Sequence, residues 1–218
     1  MLTESKIKFI EFMMSCDVLR FGDFVTKSGR RTPYFVNTGL YRTGAQIAKL
    51  GDFYAEVVKE TVGEDFDAMF GPAYKGIPLA TTVSASLARN YGIDKPFFFN
   101  RKEAKDHGEG GSLVGYKPVD GDRVIIIEDV ITAGTAVRET LPVLKAAADV
   151  QVPGLIISVD RMERGQGELT AIQEIERDFG IRTFPIVTVK DILETLTDEE
   201  LSPELRERMK AYMAQYCV

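Results

Sequence analysis

The chain of 218 residues has only two cysteines, Cys16 and Cys217, near its opposite ends. Nothing supports a bond between them, and reduced thiols are the expectation. Neither sits at a metal-ligand spacing, so no structural zinc is assigned. No stretch approaches the ~18 unbroken apolar residues of a membrane-spanning helix, and no membrane partner is expected. The opening residues Met1-Leu2-Thr3-Glu4-Ser5-Lys6 lack a basic region followed by an apolar block, so a cytoplasmic location is expected rather than secretion. Positive charge is in deficit as well: 27 basic residues face 33 acidic ones, a net charge of −6. General nucleic-acid binding, which needs a surplus of phosphate-neutralising cations, is excluded on that ground. A content of 44% hydrophobic and 28% charged residues is ordinary for a globular protein. The length predicts one domain over residues 1–218, with a small appended element over residues 1–40.

What is present is concentrated in one segment, Val124-Ile125-Ile126-Ile127-Glu128-Asp129-Val130-Ile131-Thr132-Ala133-Gly134-Thr135-Ala136. Its β-branched start reads as a strand buried on both faces of a parallel sheet. Two carboxylates end that strand, where open α/β sheets bind ligands. The Thr/Gly turn that follows can aim backbone N–H groups, hydroxyls and a helix N-terminus at one anion. Carboxylates for sugar hydroxyls beside a nest for phosphate describe a sugar-phosphate site. A Glu-Asp pair alone is usually solvated surface; here it ends a buried strand and faces the turn.

Around this segment the pattern alternates. Thr3 caps a helix with Ile7, Ile10, Met13 and Met14 on its buried stripe. Residues 18–26 and 33–37 form a hairpin, and residues 44–61 a helix. Strands follow at 67–71, 96–101, 154–160 and 183–187. Helices are expected at 76–91, from the Thr/Gly turn to about 148, at 167–179, and after Ser202-Pro203. Residues 102–117 read as a long polar loop. Such alternation predicts a parallel sheet with helices on both faces. Pro142, inside one helix, predicts a kink or an early break.

Three further clusters carry cations. Arg101-Lys102-Glu103-Ala104-Lys105-Asp106-His107-Gly108-Glu109-Gly110-Gly111 holds three basic residues and the only histidine. Most such runs are solvated loops. This one is long enough to serve as a lid, and its glycines would let the cations close over an anion. In Gly71-Pro72-Ala73-Tyr74-Lys75-Gly76-Ile77-Pro78, a lysine stands just before a helix start, where the macrodipole favours anions. A polyanion between the two would resolve that conflict. Lys27-Ser28-Gly29-Arg30 is weaker, no better by itself than an exposed hairpin turn. Together, these clusters and the opening segment fit phosphoribosyl pyrophosphate.

The stretch from Ile126 to Ala136 resembles the phosphoribosyl-pyrophosphate fingerprint of the type I phosphoribosyltransferases. Leu19 to Phe24, Lys27 to Arg30, Pro33-Tyr34-Phe35, Phe70 to Pro78, Phe99 to Gly111 and Val159-Asp160-Arg161 resemble the orotate-using bacterial branch of that family. The resemblance covers nearly the whole chain. It implies the family's α/β fold: a mainly parallel central sheet flanked by helices, with a small N-terminal hood. It also implies a Mg²⁺-dependent pentosyl transfer to orotate in pyrimidine biosynthesis. By the same resemblance, Lys27, Tyr74, Lys75, Arg101, Lys102, Lys105 and His107 surround the pyrophosphate, with Lys27, Lys105, His107 and Asp129 counted as catalytic. Glu128, Asp129, Val130, Ile131, Thr132, Ala133, Gly134, Thr135 and Ala136 hold the ribose 5-phosphate. Phe35, Val36, Thr132 and Arg161 receive orotate. No protein ligand is assigned to the metal, which the substrate's pyrophosphate and ribose would carry. A homodimer sharing the basic loop across subunits is implied too. Two positions depart from the family pattern. Glu128 replaces a frequent aspartate, and Val36 replaces a frequent phenylalanine. A transferase for another base, or a non-catalytic regulator that binds phosphoribosyl pyrophosphate, are the rival readings.

Overall fold

The computed structural model describes residues 2–26, 29–102, 112–131, 135–165 and 167–218, with the side chains of residues 135 and 136 left aside. A six-stranded sheet is built from β3 (Ala68–Gly71), β4 (Phe97–Asn100), β5 (Leu113–Gly115), β6 (Val124–Ile127), β7 (Leu155–Asp160) and β8 (Thr183–Thr188), in the order β5-β4-β3-β6-β7-β8. All neighbours are parallel except β5, which runs antiparallel to β4 at one edge. That edge strand lies inside the stretch read from sequence as a loop. Its three residues carry no alternation long enough to register as a strand.

β6 is central, and all four of its residues are buried. Its alternate side chains enter different cores. Ile125 and Ile127 pack with α2 (Gly44–Thr61) and α3 (Gly76–Tyr91), through residues such as Leu50, Tyr54, Leu79 and Val83. Val124 and Ile126 pack with α4 (Thr135–Ala147) and α5 (Ala171–Phe179), through Val137, Leu141, Leu144 and Ile175. A strand covered on both faces needs no polar positions, which is why its sequence is an unbroken β-branched run.

Local signals set the helix starts. Thr3 accepts from the Lys6 N–H at the start of α1 (Glu4–Ser15), whose buried residues are Phe9, Ile10, Phe12 and Met13. Thr43 and Gln46 cap α2 reciprocally. α5 starts at Ala171 because Thr170 and Gln173 form another capping box, several residues later than its pattern suggests. α6 (Val189–Thr195), which the sequence reading passed over, is seven residues capped by Thr188. Ser202 caps α7 (Pro203–Tyr216) as expected. α4 continues past Pro142 to Ala147, so the early break expected there does not occur.

The N-terminal hairpin, β1 (Leu19–Val25) and β2 (Arg31–Val36), forms a separate two-stranded sheet. It rests on α7, with the Tyr34 and Tyr212 rings edge to face at 5.9 Å. Both cysteines are free and buried.

Candidate active site

The carboxyl ends of β3, β4, β6 and β7 lie side by side, and the chain turns at each bring polar groups together. Close backbone packing shapes the turn after β3. A Cβ at Gly71 would lie 2.2 Å from the Gly76 carbonyl oxygen, and one at Gly76 would lie 3.0 Å from the Ile127 carbonyl oxygen. Only glycine lets the start of α3 sit this close to the end of β6. That approach brings Lys75, one residue earlier, within reach of Asp129.

Lys75 Nζ lies 2.7 Å from Asp129 Oδ2, and the Thr38 hydroxyl donates to the same oxygen at 2.7 Å. Lys75 also donates to Thr38 Oγ1 at 3.1 Å. One anion that faces Lys75 is therefore Asp129. Neighbouring elements fix the backbone of the pair. The Tyr54 hydroxyl donates to the Glu128 carbonyl at 2.8 Å, and Ser158 Oγ donates to the Asp129 carbonyl at 2.6 Å.

The two carboxyls titrate differently. Glu128 is 7% exposed, and burial pushes its carboxyl up to about 7. Its Oε1 accepts the Asp129 N–H at 3.0 Å, which opposes the shift without cancelling it. Burial also works against charge on Asp129, but the hydrogen bonds from Lys75 and Thr38 outweigh it and hold the carboxyl below its usual value. A carboxyl that holds its proton more tightly beside one that stays charged suits a row of sugar hydroxyls, which both donate and accept.

A second group sits at the end of β4. Asn100 Oδ1 accepts the Ala73 N–H at 2.8 Å, tying the β3 turn to β4. Lys102 Nζ lies 5.3 Å from the centre of the Tyr74 ring, a cation–π contact on an exposed tyrosine. The Arg101 N–H donates to the Ser112 carbonyl at 2.7 Å, fixing where the basic run leaves the sheet.

Arg161 follows β7 and is buried. Its guanidinium lies 4.6 Å from the centre of the Tyr34 ring and is bonded to Glu163. Burial opposes its charge, but Tyr34 and Glu163 more than offset this and raise its pKa. Met162 between them has φ +55°, in the left-handed region, with its N–H bonded to Asp160 Oδ1 at 2.7 Å. That compact reversal brings Arg161 and Glu163 together. A small cleft beside them is lined by Ile131, Asp160, Arg161, Met162, Ala171 and Ile172. Val130 bridges to Val159, so the turn after β6 borders this cleft.

Glu128, Asp129 and Lys75 thus converge, as do Tyr74 and Lys102. Arg161 stands one strand further along, with Tyr34 of the hood over its guanidinium. Phe35, next to Tyr34, turns its half-buried ring onto Phe24 at 5.5 Å, and Val36 packs against the main core. Lys27, Lys105, His107, Thr132, Ala133 and Gly134 lie outside the described residues, and Thr135 and Ala136 mark the start of α4. The sequence reading missed Thr38, Tyr54, Ser158 and Glu163. Single hydroxyls scattered through the chain give no pattern, and a lone glutamate two residues after Arg161 gives no signal of its own.

The phosphoribosyl transferase domain family matches residues 37–179. The orotate phosphoribosyltransferase of Clostridium beijerinckii is 55% identical over 217 residues, covering 97% of each chain. That of Lachnoclostridium phytofermentans is 51% identical, covering 100% of this chain and 99% of its own. The crystal structure of the Francisella tularensis orotate phosphoribosyltransferase is 39% identical and superposes with a TM-score of 0.86, over 97% of this chain and 100% of the other. A Mycobacterium tuberculosis orotate phosphoribosyltransferase, solved with 5-phospho-α-D-ribosyl 1-diphosphate, is 21% identical with a TM-score of 0.63, over 86% and 98%; it shares the fold. Across nearly its whole length, then, this chain belongs to the orotate phosphoribosyltransferases, enzymes built on the phosphoribosyl transferase domain.

Proposed function

We propose that this site joins the ring nitrogen of orotate to C1 of phosphoribosyl pyrophosphate, releasing pyrophosphate and forming orotidine 5′-monophosphate for pyrimidine biosynthesis. The observation that carries the assignment of roles is the meeting of Glu128, Asp129, Lys75 and Thr38 at the end of β6. The carboxyls hold the ribose hydroxyls. The turn through Val130, Ile131, Thr132, Ala133, Gly134, Thr135 and Ala136 takes the 5-phosphate, at the N-terminus of α4. Tyr74, Lys75, Arg101 and Lys102, joined by Lys27, Lys105 and His107, surround the pyrophosphate. Arg161 receives the orotate carboxylate, because a planar fork donates two parallel hydrogen bonds to a planar acceptor. Thr132 and the backbone at Phe35 and Val36 complete the base site. The packed side chain of Val36 favours a backbone role there.

The transition state carries positive charge on the sugar and growing negative charge on the leaving pyrophosphate. Cations held ready in a closed site stabilise the latter without reorganising. Mg²⁺ fits this donor set. The charged Asp129 carboxyl is a hard oxygen donor, and Mg²⁺ is usually held by one or two carboxylates plus substrate phosphates rather than a protein cage, so the substrate's pyrophosphate and ribose would carry most of it. When bound, it neutralises pyrophosphate charge. Residues 1–218 act as one phosphoribosyltransferase domain, with residues 1–40 as its hood. The chain works in the cytoplasm as a homodimer that shares the basic loop across subunits.

The test follows loss of orotate's ultraviolet absorbance on adding phosphoribosyl pyrophosphate and Mg²⁺. Turnover with orotate is expected, and Lys75→Ala should lower kcat by at least about 100-fold, the scale of losing one preorganised charge. The Lys75 side chain is 59% exposed but that of Asp129 only 14%, so Lys75→Ala also leaves a buried carboxylate without its cation and should lower Tm; kcat is compared below the melting range of both proteins. Turnover only with a purine, or binding without turnover, would overturn the reading.

A further inference from the structure

We propose that Glu163 is a positioning residue for substrate recognition: it fixes the Arg161 guanidinium so that the fork presents its free edge to the carboxylate of the base. This rests on the reading of Arg161 as the orotate ligand. Glu163 Oε1 accepts from Arg161 Nε at 2.9 Å and from Nη2 at 2.6 Å. Both bonds use one edge of the guanidinium, and Nη1 lies on the side away from Glu163. A guanidinium tied along one edge keeps the other in a constant plane.

Glu163 is itself held from three directions. Tyr212 of α7 donates to Oε1 at 2.6 Å. Arg30 and Tyr34 of the hood reach Oε2 at 3.1 Å and Oε1 at 3.4 Å. The backbone is pinned too: Glu163 bridges to Cys217, the Arg164 N–H donates to the Tyr216 carbonyl, and the Val218 N–H donates to the Met162 carbonyl. The Tyr34 ring covers one face of the Arg161 guanidinium. The C-terminal helix and the hood thereby meet at the side chain that orients Arg161.

A merely structural reading treats Glu163 as the counter-ion that any buried arginine needs. That reading predicts a general loss of stability when the charge is removed. The positioning reading predicts a loss confined to one substrate, because an unfixed arginine must be ordered anew each time the carboxylate binds.

The experiment measures KM for orotate, KM for phosphoribosyl pyrophosphate and Tm in Glu163→Gln, Tyr212→Phe and Arg161→Gln. Glu163→Gln should raise the orotate KM about tenfold, equivalent to ~1.4 kcal/mol. The phosphoribosyl-pyrophosphate KM should not move. Tyr212→Phe, which removes one donor to Glu163 and keeps the ring, should move the orotate KM in the same direction by a smaller factor. It carries the test if Glu163→Gln does not fold. Parallel rises in both KM values with a fall in Tm would overturn the positioning role. So would an unchanged orotate KM in Glu163→Gln, or in Tyr212→Phe where that variant stands alone. If Arg161→Gln leaves the orotate KM unchanged, the assignment of Arg161 itself fails. If Arg161→Gln raises it and the other two variants do not, only the role of Glu163 fails.

Discussion

Glu128 and Asp129 are adjacent in the chain, yet their surroundings push their carboxyls in opposite directions. Asp129 has Lys75 and Thr38 within 2.7 Å, while Glu128 is buried, accepts one backbone N–H and sits beside the Asp129 charge. The consequence for stability follows from linkage. The carboxyl of Glu128 is raised from an ordinary 4.5 to about 7 in the folded chain. Below 4.5 it is protonated folded or unfolded, and its contribution is fully present. Between 4.5 and about 7 the unfolded chain releases the proton first, so stability falls as pH rises through that window. Asp129, being lowered, loses its contribution only in acid, outside the window. Glu128→Gln cannot titrate. Its Tm relative to the parent protein should therefore become more favourable between about pH 5 and pH 8, by roughly 2–4 °C for each kcal/mol regained. Thermal melts of both proteins, unliganded, across that range check it. A Tm difference that stays flat would remove the buried, proton-binding role of Glu128.

At the scale of elements, the strands and helices that build the site were legible, and the reasons are physical. β6 announces itself because burial on both faces leaves only β-branched residues, α2 because its Thr43 cap and apolar stripe agree, and α3 because its apolar stripe runs from Pro78 in the first turn to the left-handed Gly92 at its end. What failed to show was short or defined from outside. β5 has three residues and exists because β4 offers it an edge, and α6 depends on its Thr188–Asp191 cap rather than on periodicity. The site was legible where charge stood beside glycine, as at Lys75. It was illegible where a lone hydroxyl, such as Thr38 or Tyr54, is brought in by tertiary packing. Pro142 shows tertiary packing overriding local propensity. The ring denies the Arg138 carbonyl its helical partner, yet Val137, Leu141 and Leu144 anchor α4 on both sides of it. The proline is exposed, so Pro142→Ala removes no core packing. Restoring the bond is worth up to ~3 kcal/mol, less about 1 kcal/mol for the freer unfolded chain. Urea melts should show stabilisation of about 1–2 kcal/mol by that difference. A midpoint that does not rise would mean α4 has adapted to its proline.

At the scale of the whole molecule, the sheet gathers Glu128, Asp129 and Arg161 at one end, while the basic run from Arg101 to Gly111 leaves that end from β4. Arg101 and Ser112 are bonded at the base of the run, so its two ends are fixed beside the site. Sharing it across a homodimer can be tested by complementation. Asp129→Asn removes a carboxylate of the proposed ribose site and leaves the loop intact; Lys105→Ala removes a loop cation and leaves that proposed site intact. Each variant alone should have little activity. In a dimer of one of each, a loop acting across the interface places the intact Lys105 over the intact Asp129 at one site. The other site carries both defects. Random mixing of equal amounts makes half the dimers mixed, so activity should return to roughly a quarter of the parent level in a two-fold symmetric assembly. A loop acting on its own subunit leaves every site with one defect, and no activity returns. Different affinity tags on the two variants isolate the mixed dimers, in which the recovered activity should reach roughly half, one sound site of two. Silence in that purified species would assign the loop to its own subunit.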